Sequence, residues 1–163
     1  DESSCSDKMQ ILIVYYSRTG VTKKIANILK EKLNADIEEI TDNNHYKGKI
    51  GWIKGGFNAS TGRLSEINPT SKNPSNYDLT IIGSPVWASN IATPVATYIN
   101  RNIKDFKKIA GFVTCMSGGY EKALVKMSEE CDKQLECTLA LTTKDIEENL
   151  EKNINTFIDK ITL

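Results

Sequence analysis

The sequence is short of the residues that most often carry chemistry or cross a membrane. It contains one histidine, His45. It contains four cysteines, and the spacing between them is not that of metal ligands: Cys5, Cys115, Cys131 and Cys137. We therefore expect free thiols, a solvated histidine and no metal site. No run approaches the roughly 20 apolar residues of a membrane helix, and none resembles the apolar core of a secretory signal. The sequence therefore favours a cytoplasmic location.

An excess of charge of either sign is also missing. Lys and Arg together number 21, as do Asp and Glu, so no overall field attracts nucleic acid or an anionic membrane, and we expect neither as a partner. With 163 residues, 39% of them hydrophobic, the chain can bury one core. The first eight residues are polar, and Met9 directly precedes an apolar run. We expect 1–8 to be a tail or tag remnant and 9–163 to form a single domain.

What the chain does contain is a regular alternation of apolar patterns. Short β-branched or aromatic runs predict strands at 11–16, 36–40, 77–83, 109–115 and 136–141. Apolar residues at helical spacing predict helices after the first strand, within 46–57, and over 91–103, 121–135 and from 146 onward. The alternation indicates an α/β fold with three α/β/α layers and a five-stranded parallel sheet. Such a domain binds ligands at the carboxyl ends of its strands.

The loop after the first strand is rich in hydroxyl groups. Ser17, Thr19 and Thr22 lie beside Gly20, where the unpaired N–H groups of a helix's first turn also point. This arrangement is typical of an anion site, and phosphate is the usual anion. The loop has neither the Gly-Lys-Ser/Thr triplet of a Walker A motif nor three spaced glycines of a dinucleotide motif. On these residues alone, ordinary helix capping remains an alternative.

This loop resembles the FMN-phosphate signature of the flavodoxin family. The matching residues are Ile13-Val14-Tyr15 followed by Ser17, Gly20, Thr22, Ala26 and Leu29. A second loop, Gly83-Ser84-Pro85-Val86-Trp87-Ala88, resembles the family loop that runs along the flavin ring, although Ala88 stands where the family often has glycine. A third loop, 114–120, resembles the one that closes on the pyrimidine edge of the ring.

The resemblance implies bound FMN and the strand order 2-1-3-4-5. It implies a phosphate site at Ser17, Arg18, Thr19, Gly20, Val21 and Thr22. It implies ring contacts from Ser84, Pro85, Val86, Trp87 and Ala88, and from Thr114, Cys115, Ser117, Gly118, Gly119 and Tyr120. For Trp87 a core position, and for Tyr120 a surface position at a helix start, remain alternatives.

Two functions stay open at this point. The first is an FMN-bearing electron carrier, with a redox partner protein or a small-molecule electron acceptor. The second is an FMN-dependent NAD(P)H oxidoreductase acting on a quinone, a nitro compound or a similar acceptor. No residue of the three loops is placed as an acid–base catalyst, which favours the carrier. The near-neutral charge argues the other way, because carriers of this family are typically acidic. Trp52 among the lysines of 46–57 predicts a partner or acceptor surface, and a simple covering helix remains an alternative for this segment.

Two enzyme-like classes with a related architecture are excluded. A phospho-receiver domain needs acidic residues at the ends of its first and third strands, where Tyr15-Tyr16 and Gly83-Ser84 stand. A low-molecular-weight phosphatase needs an arginine six residues after a cysteine. Glu121 occupies that position after Cys115, and Ile11 occupies it after Cys5. A family member that has lost its cofactor is a third possibility, and the intact hydroxyl loop argues against it.

Overall fold

The computed structural model describes residues 9–42 and 67–162. The strands in this part of the chain are β1 (Ile11–Tyr15), β2 (Asp36–Glu39), β3 (Leu79–Trp87), β4 (Asn90–Ile91), β5 (Lys108–Cys115) and β6 (Thr138–Thr142). The α-helices are α1 (Val21–Leu33), α2 (Thr93–Asn102), α3 (Tyr120–Cys131), α4 (Thr143–Glu148) and α5 (Leu150–Thr162). A short 3-10 turn, Pro74–Asn76, precedes β3.

Five of these strands form a parallel sheet in the order β2-β1-β3-β5-β6. The two-residue β4 lies outside this row and pairs antiparallel with the end of β3. If β4 is not counted, the order is 2-1-3-4-5, so the predicted fold is confirmed. The sheet grows in one direction from β1 to β2 and in the other from β1 to β3. The loops after β1 and β3 therefore meet at the carboxyl edge, the position where such sheets bind ligands.

The two faces of the sheet carry separate cores. Ile11, Ile13 and Tyr15 of β1 pack with α1 and α5, whereas Leu12 and Val14 pack with α2 and α3. Side chains alternate between the faces of a strand, and both faces here are covered by helices. This double covering explains why β1 is an uninterrupted apolar run, and it establishes the three layers.

The third strand is longer than predicted. Ser84 and Pro85 continue the parallel pairing, opposite Val113 and Thr114 of β5, and the strand ends at Trp87. Tyr16 N donates to Gly83 O, so the backbone groups of Gly83 point toward β1. The backbone of Pro85, two residues further along the strand, points the same way. Strand β1 has already ended at Tyr15, so the missing N–H of Pro85 costs no ladder hydrogen bond.

Three other boundaries differ from the predictions for local reasons. The helix predicted over 91–103 begins at Thr93, because Asn90 and Ile91 pair with β3. The helix predicted over 121–135 ends at Cys131, because Asp132 adopts a left-handed conformation with φ 52°. The closing helix is two helices, separated at Asn149, which leaves the helical conformation with φ −133°.

The last part of the connection from β2 to β3 is bound to β2 and to the residues that follow it. Oε1 of Glu38 accepts hydrogen bonds from Ser71 N at 2.9 Å and Lys72 N at 2.8 Å. The Tyr77 hydroxyl donates to Asp36 Oδ2 at 2.7 Å. Asn68 N donates to Thr41 O at 2.8 Å. These bonds fix residues 67–77 against the edge strand of the sheet.

Some predictions concern residues outside the described part. The helix and partner surface of 46–57, His45 and Cys5 all lie there. Cys115, Cys131 and Cys137 are free thiols, as predicted. Across residues 9–42 and 67–162, no helix has the length and apolar character needed to cross a bilayer.

Candidate functional site

The N-terminus of α1 is open to a ligand. Its N-cap residue is Gly20, with φ 97°, and no side chain caps the helix. The Ser17 hydroxyl accepts from Gly20 N at 3.0 Å and shapes the loop rather than the helix end. Ordinary capping by the hydroxyls, the alternative kept from the sequence, is therefore wrong. The first N–H groups of α1 keep their capacity to bind an anion.

The charges around this helix end also suit an anion. The first turn of α1 contains no acidic residue, and Lys23 and Lys24 follow Thr22 directly. Arg18 and Thr19, two residues and one residue before Gly20, are exposed. The positive end of the helix dipole adds to these cations. The predicted phosphate loop thus combines backbone donors and hydroxyls with neighbouring positive charge.

Thr22 differs from the other hydroxyl residues of this loop because it is buried. Its Oγ1 lies 2.9 Å from Oγ1 of Thr114, which is at the end of β5 and is also buried. This contact joins the first predicted loop to the start of the third. The two residues are 92 positions apart in the chain.

The second predicted loop is a tight hairpin between β3 and β4. Ala88 and Ser89 form its two-residue turn and have φ angles of 52° and 61°. Two consecutive positive φ angles are typical of a type I′ turn, which favours Asn-Gly and matches the twist of the paired strands. Alanine has no side-chain group to offset the left-handed conformation, so Ala88 is strained here.

We expect Ala88→Gly to stabilise the protein. Removing a left-handed alanine relieves about 1–2 kcal/mol, and the greater freedom of glycine in the unfolded chain returns about 0.5–1 kcal/mol, so the net gain is about 0.5–1 kcal/mol. Urea unfolding measures it. Ala96→Gly in α2 is the matched control, because the same substitution inside a helix should cost about 1 kcal/mol. Equal destabilisation by both variants would show that the turn is not strained.

Trp87 connects the hairpin to the first loop. Its ring packs edge-on against Tyr16, with centroids 5.6 Å apart and planes at 90°. The guanidinium carbon of Arg18 lies 5.9 Å from the centroid of the Trp87 ring. Trp87 is partly buried, at the edge of the core shared with α2 and α3. The indole is therefore held between a buried tyrosine and an exposed cation, and part of its surface faces solvent.

Ser84, Pro85 and Val86 support the hairpin from inside. The Ser84 hydroxyl is fully buried, accepts from Ala92 N at 2.9 Å and donates to Pro85 O at 2.8 Å. The bond from Ala92 N ties β3 to the start of α2, whereas the bond to Pro85 O lies within β3. The side chain of Ser84 thus positions the loop.

The third loop packs against the hairpin. Gly119 has φ 85° and is the N-cap of α3. A Cβ at this position would lie 3.0 Å from Ser89 Oγ and 3.2 Å from Val86 Cγ1, so glycine permits the close approach. Ser117 and Gly118 are exposed, and Tyr120 is partly buried as the first residue of α3. Glu121 in the first turn of α3 makes this helix end less suited to an anion than that of α1.

Cys115 ends β5 below this loop and is partly buried. Burial and then the negative charge of Asp145 raise the pKa of the Cys115 thiol. Asp145 itself forms a capping box with Thr142 at the start of α4. The thiol is consequently protonated at neutral pH and poorly nucleophilic.

The structure therefore brings all three predicted loops to one edge of the sheet. Three neighbouring residues were missed by the sequence prediction: Tyr16, which supports Trp87; Ser89, which contacts the third loop; and Met116, which is 86% exposed. Only their positions in or beside the three loops could have pointed to these residues, because their residue types do not indicate a binding role.

Comparisons with known proteins agree with this arrangement. The sequence matches the model of the flavodoxin family over residues 10–157. No curated protein matches the chain. Among solved structures, the flavoprotein of Lactobacillus acidophilus in complex with FMN has a TM-score of 0.73 at 23% identity, covering 86% of this chain and 97% of that one.

Two further structures show the same fold. A provisionally named flavoprotein of Bacteroides eggerthii has a TM-score of 0.73 at 18% identity, covering 95% of this chain and 99% of that one. Oxidised flavodoxin 1 of Bacillus cereus has a TM-score of 0.53 at 18% identity, covering 94% of this chain and 97% of that one.

Proposed function

Since this chain belongs to the flavodoxin family, we propose that it binds FMN at the carboxyl edge of the sheet and acts as an electron-transfer protein. The observation that carries the proposal is the open N-terminus of α1. No side chain caps it, no acidic residue lies in its first turn, and its loop adjoins the exposed part of Trp87. A phosphate on the helix and an aromatic ring beside Trp87 fit this single continuous surface.

The size of the anion site favours FMN over a dinucleotide. The loop from Ser17 to Thr22 offers hydroxyls and backbone N–H groups for one phosphate. The N-terminus of α3, the other glycine-capped helix start at this edge, carries Glu121 and repels a second phosphate. The similar flavoprotein of L. acidophilus contains FMN, which supports the same choice here.

The remaining predicted residues would enclose the ring. Trp87 offers an aromatic face at low entropic cost, and Tyr16 holds its indole in place. The hairpin turn and the loop of Gly118 and Gly119 bring backbone groups to the same edge. FMN supplies the reversible redox chemistry when bound, and the protein's part is to bind it, orient it and limit its contact with water.

The titratable groups at this edge support a carrier rather than an enzyme. The pKa of the Cys115 thiol is raised by burial and by Asp145. Burial, followed by the charge and hydrogen bond of Glu39, raises the pKa of Tyr15 to about 12. Both groups hold their protons at neutral pH, whereas a general acid or base works best with a pKa near the working pH.

Spectroscopy on the purified protein tests the proposal. We expect FMN to give a bound flavin spectrum and to bind more tightly than riboflavin. In the absence of oxygen, NADH or NADPH alone should not bleach the flavin, whereas a chemical reductant should. Rapid bleaching by either nucleotide, with turnover on a quinone or nitro compound, would establish the oxidoreductase instead. Failure to bind FMN would overturn both.

A further inference from the structure

The buried contact between Thr22 and Thr114 carries an inference about how the phosphate is recognised. Their Oγ1 atoms are 2.9 Å apart, and the residues are only 2% and 5% exposed. Thr22 is the second residue of α1, and Thr114 is the last residue but one of β5. The pair therefore lies directly beneath the open end of the helix.

The number of hydroxyl hydrogens in this pair limits which of the two threonines can be the donor of their hydrogen bond. Two hydroxyls carry two hydrogens, and their mutual hydrogen bond uses one of them. Within 9–42 and 67–162, the Thr22–Thr114 contact is the one hydrogen bond found for either hydroxyl. The second hydrogen must find an acceptor elsewhere, because a buried donor left unpaired is strongly disfavoured.

Only one direction supplies that acceptor. If Thr22 donates to Thr114, the remaining hydrogen belongs to a residue of β5 rather than of α1, and it has no acceptor among the described residues. If Thr114 donates to Thr22, the hydrogen of Thr22 is free at the N-terminus of α1, where an anion would sit.

We propose that Thr114 is a positioning residue for the phosphate: its hydroxyl donates to Thr22 Oγ1 and thereby directs the O–H of Thr22 at a phosphate oxygen. The inference rests on the proposed FMN site. It adds that selectivity for the phosphorylated flavin depends on a β5 residue that does not touch the phosphate. Donating to Thr22 also polarises its hydroxyl and strengthens the bond to the charged group.

The test compares two substitutions of one residue. Thr114→Val keeps the shape and removes the hydroxyl, whereas Thr114→Ser keeps the hydroxyl and removes the methyl group. We expect Thr114→Val to weaken FMN binding about tenfold, the scale of one lost hydrogen bond. Riboflavin binding should change less than twofold, because the ring contact predicted for this loop would come from its backbone, which the variant keeps. Thr114→Ser should retain the preference of the wild type for FMN. Thermal unfolding of each apoprotein shows whether the variants fold.

The same titrations in a Thr22→Val background distinguish positioning from a direct contact. If Thr114 acts through Thr22, adding Thr114→Val to Thr22→Val should not change the ratio of the FMN and riboflavin affinities further. An additional loss in the double variant, an equal loss for both ligands, or failure of Thr114→Ser to preserve the ratio would each overturn the inference. A wild type without preference for FMN would instead refute the phosphate site of the proposed function.

Discussion

Replacing Thr19 and Thr22 together with alanine is expected to weaken FMN binding by two to four orders of magnitude. Each hydroxyl bond to a charged phosphate contributes roughly 1.5–3 kcal/mol, and about 1.4 kcal/mol corresponds to a factor of ten in affinity. Riboflavin lacks the phosphate, so its affinity should change by less than a factor of about three. Fluorescence titration of the apoprotein with each flavin measures the two dissociation constants.

Two threonines far from this edge provide the control. Thr138 begins β6 and Thr156 lies in α5, and both are exposed. Replacing these two residues with alanine should leave both flavin affinities unchanged. If the Thr19 and Thr22 double variant loses FMN and riboflavin to the same extent, the loop does not bind the phosphate, and the anion site must be sought elsewhere.

Gly83→Ala is expected to cause the largest loss of stability of any single change considered. A Cβ at this position would lie 2.2 Å from Cζ of Phe112 and less than 3 Å from two other atoms of the same ring. Phe112 is fully buried and belongs to the core beneath α1 and α5. The ring cannot move without displacing its neighbours, so we expect a cost of about 3 kcal/mol or more, or failure to fold.

Two variants show whether the ring is the cause. Gly118→Ala is the control, because no atom lies within 4 Å of its added Cβ, and its urea midpoint should match the wild type. Adding Phe112→Leu to Gly83→Ala should restore part of the lost stability by removing the ring. If the double variant is less stable than Gly83→Ala alone, steric conflict with Phe112 is not the reason for glycine at this position.

The comparison of prediction and structure separates local signals from non-local ones. β1 and α1 were predicted closely, because their apolar patterns and the glycine between them depend only on residues that are adjacent in the sequence. The end of β3 was predicted four residues too early, since Ser84 to Trp87 look like a loop. They remain extended because β5 and β4 pair with them, and such pairing depends on distant residues.

The site shows the same division. Side chains that lie in the three loops were predicted, but their partners were not. Ser84 was expected to face the flavin, whereas its hydroxyl binds Ala92 N, and whether its backbone contacts the ring stays a prediction. Thr22 and Thr114 both appeared among the predicted residues, yet nothing in the sequence indicates that residues 92 positions apart share a hydrogen bond.

The residues of β2 also bear on strand pairing between two molecules of this protein. An edge strand with unpaired backbone groups is a template for adding a strand from another molecule, the first step toward aggregation. Here Asp36 and Glu38 bind residues 71–77 of the same chain through their side chains. The strand is also only four residues long, and three of the four are acidic. A short edge strand that carries charge of one sign disfavours pairing with a second copy of itself.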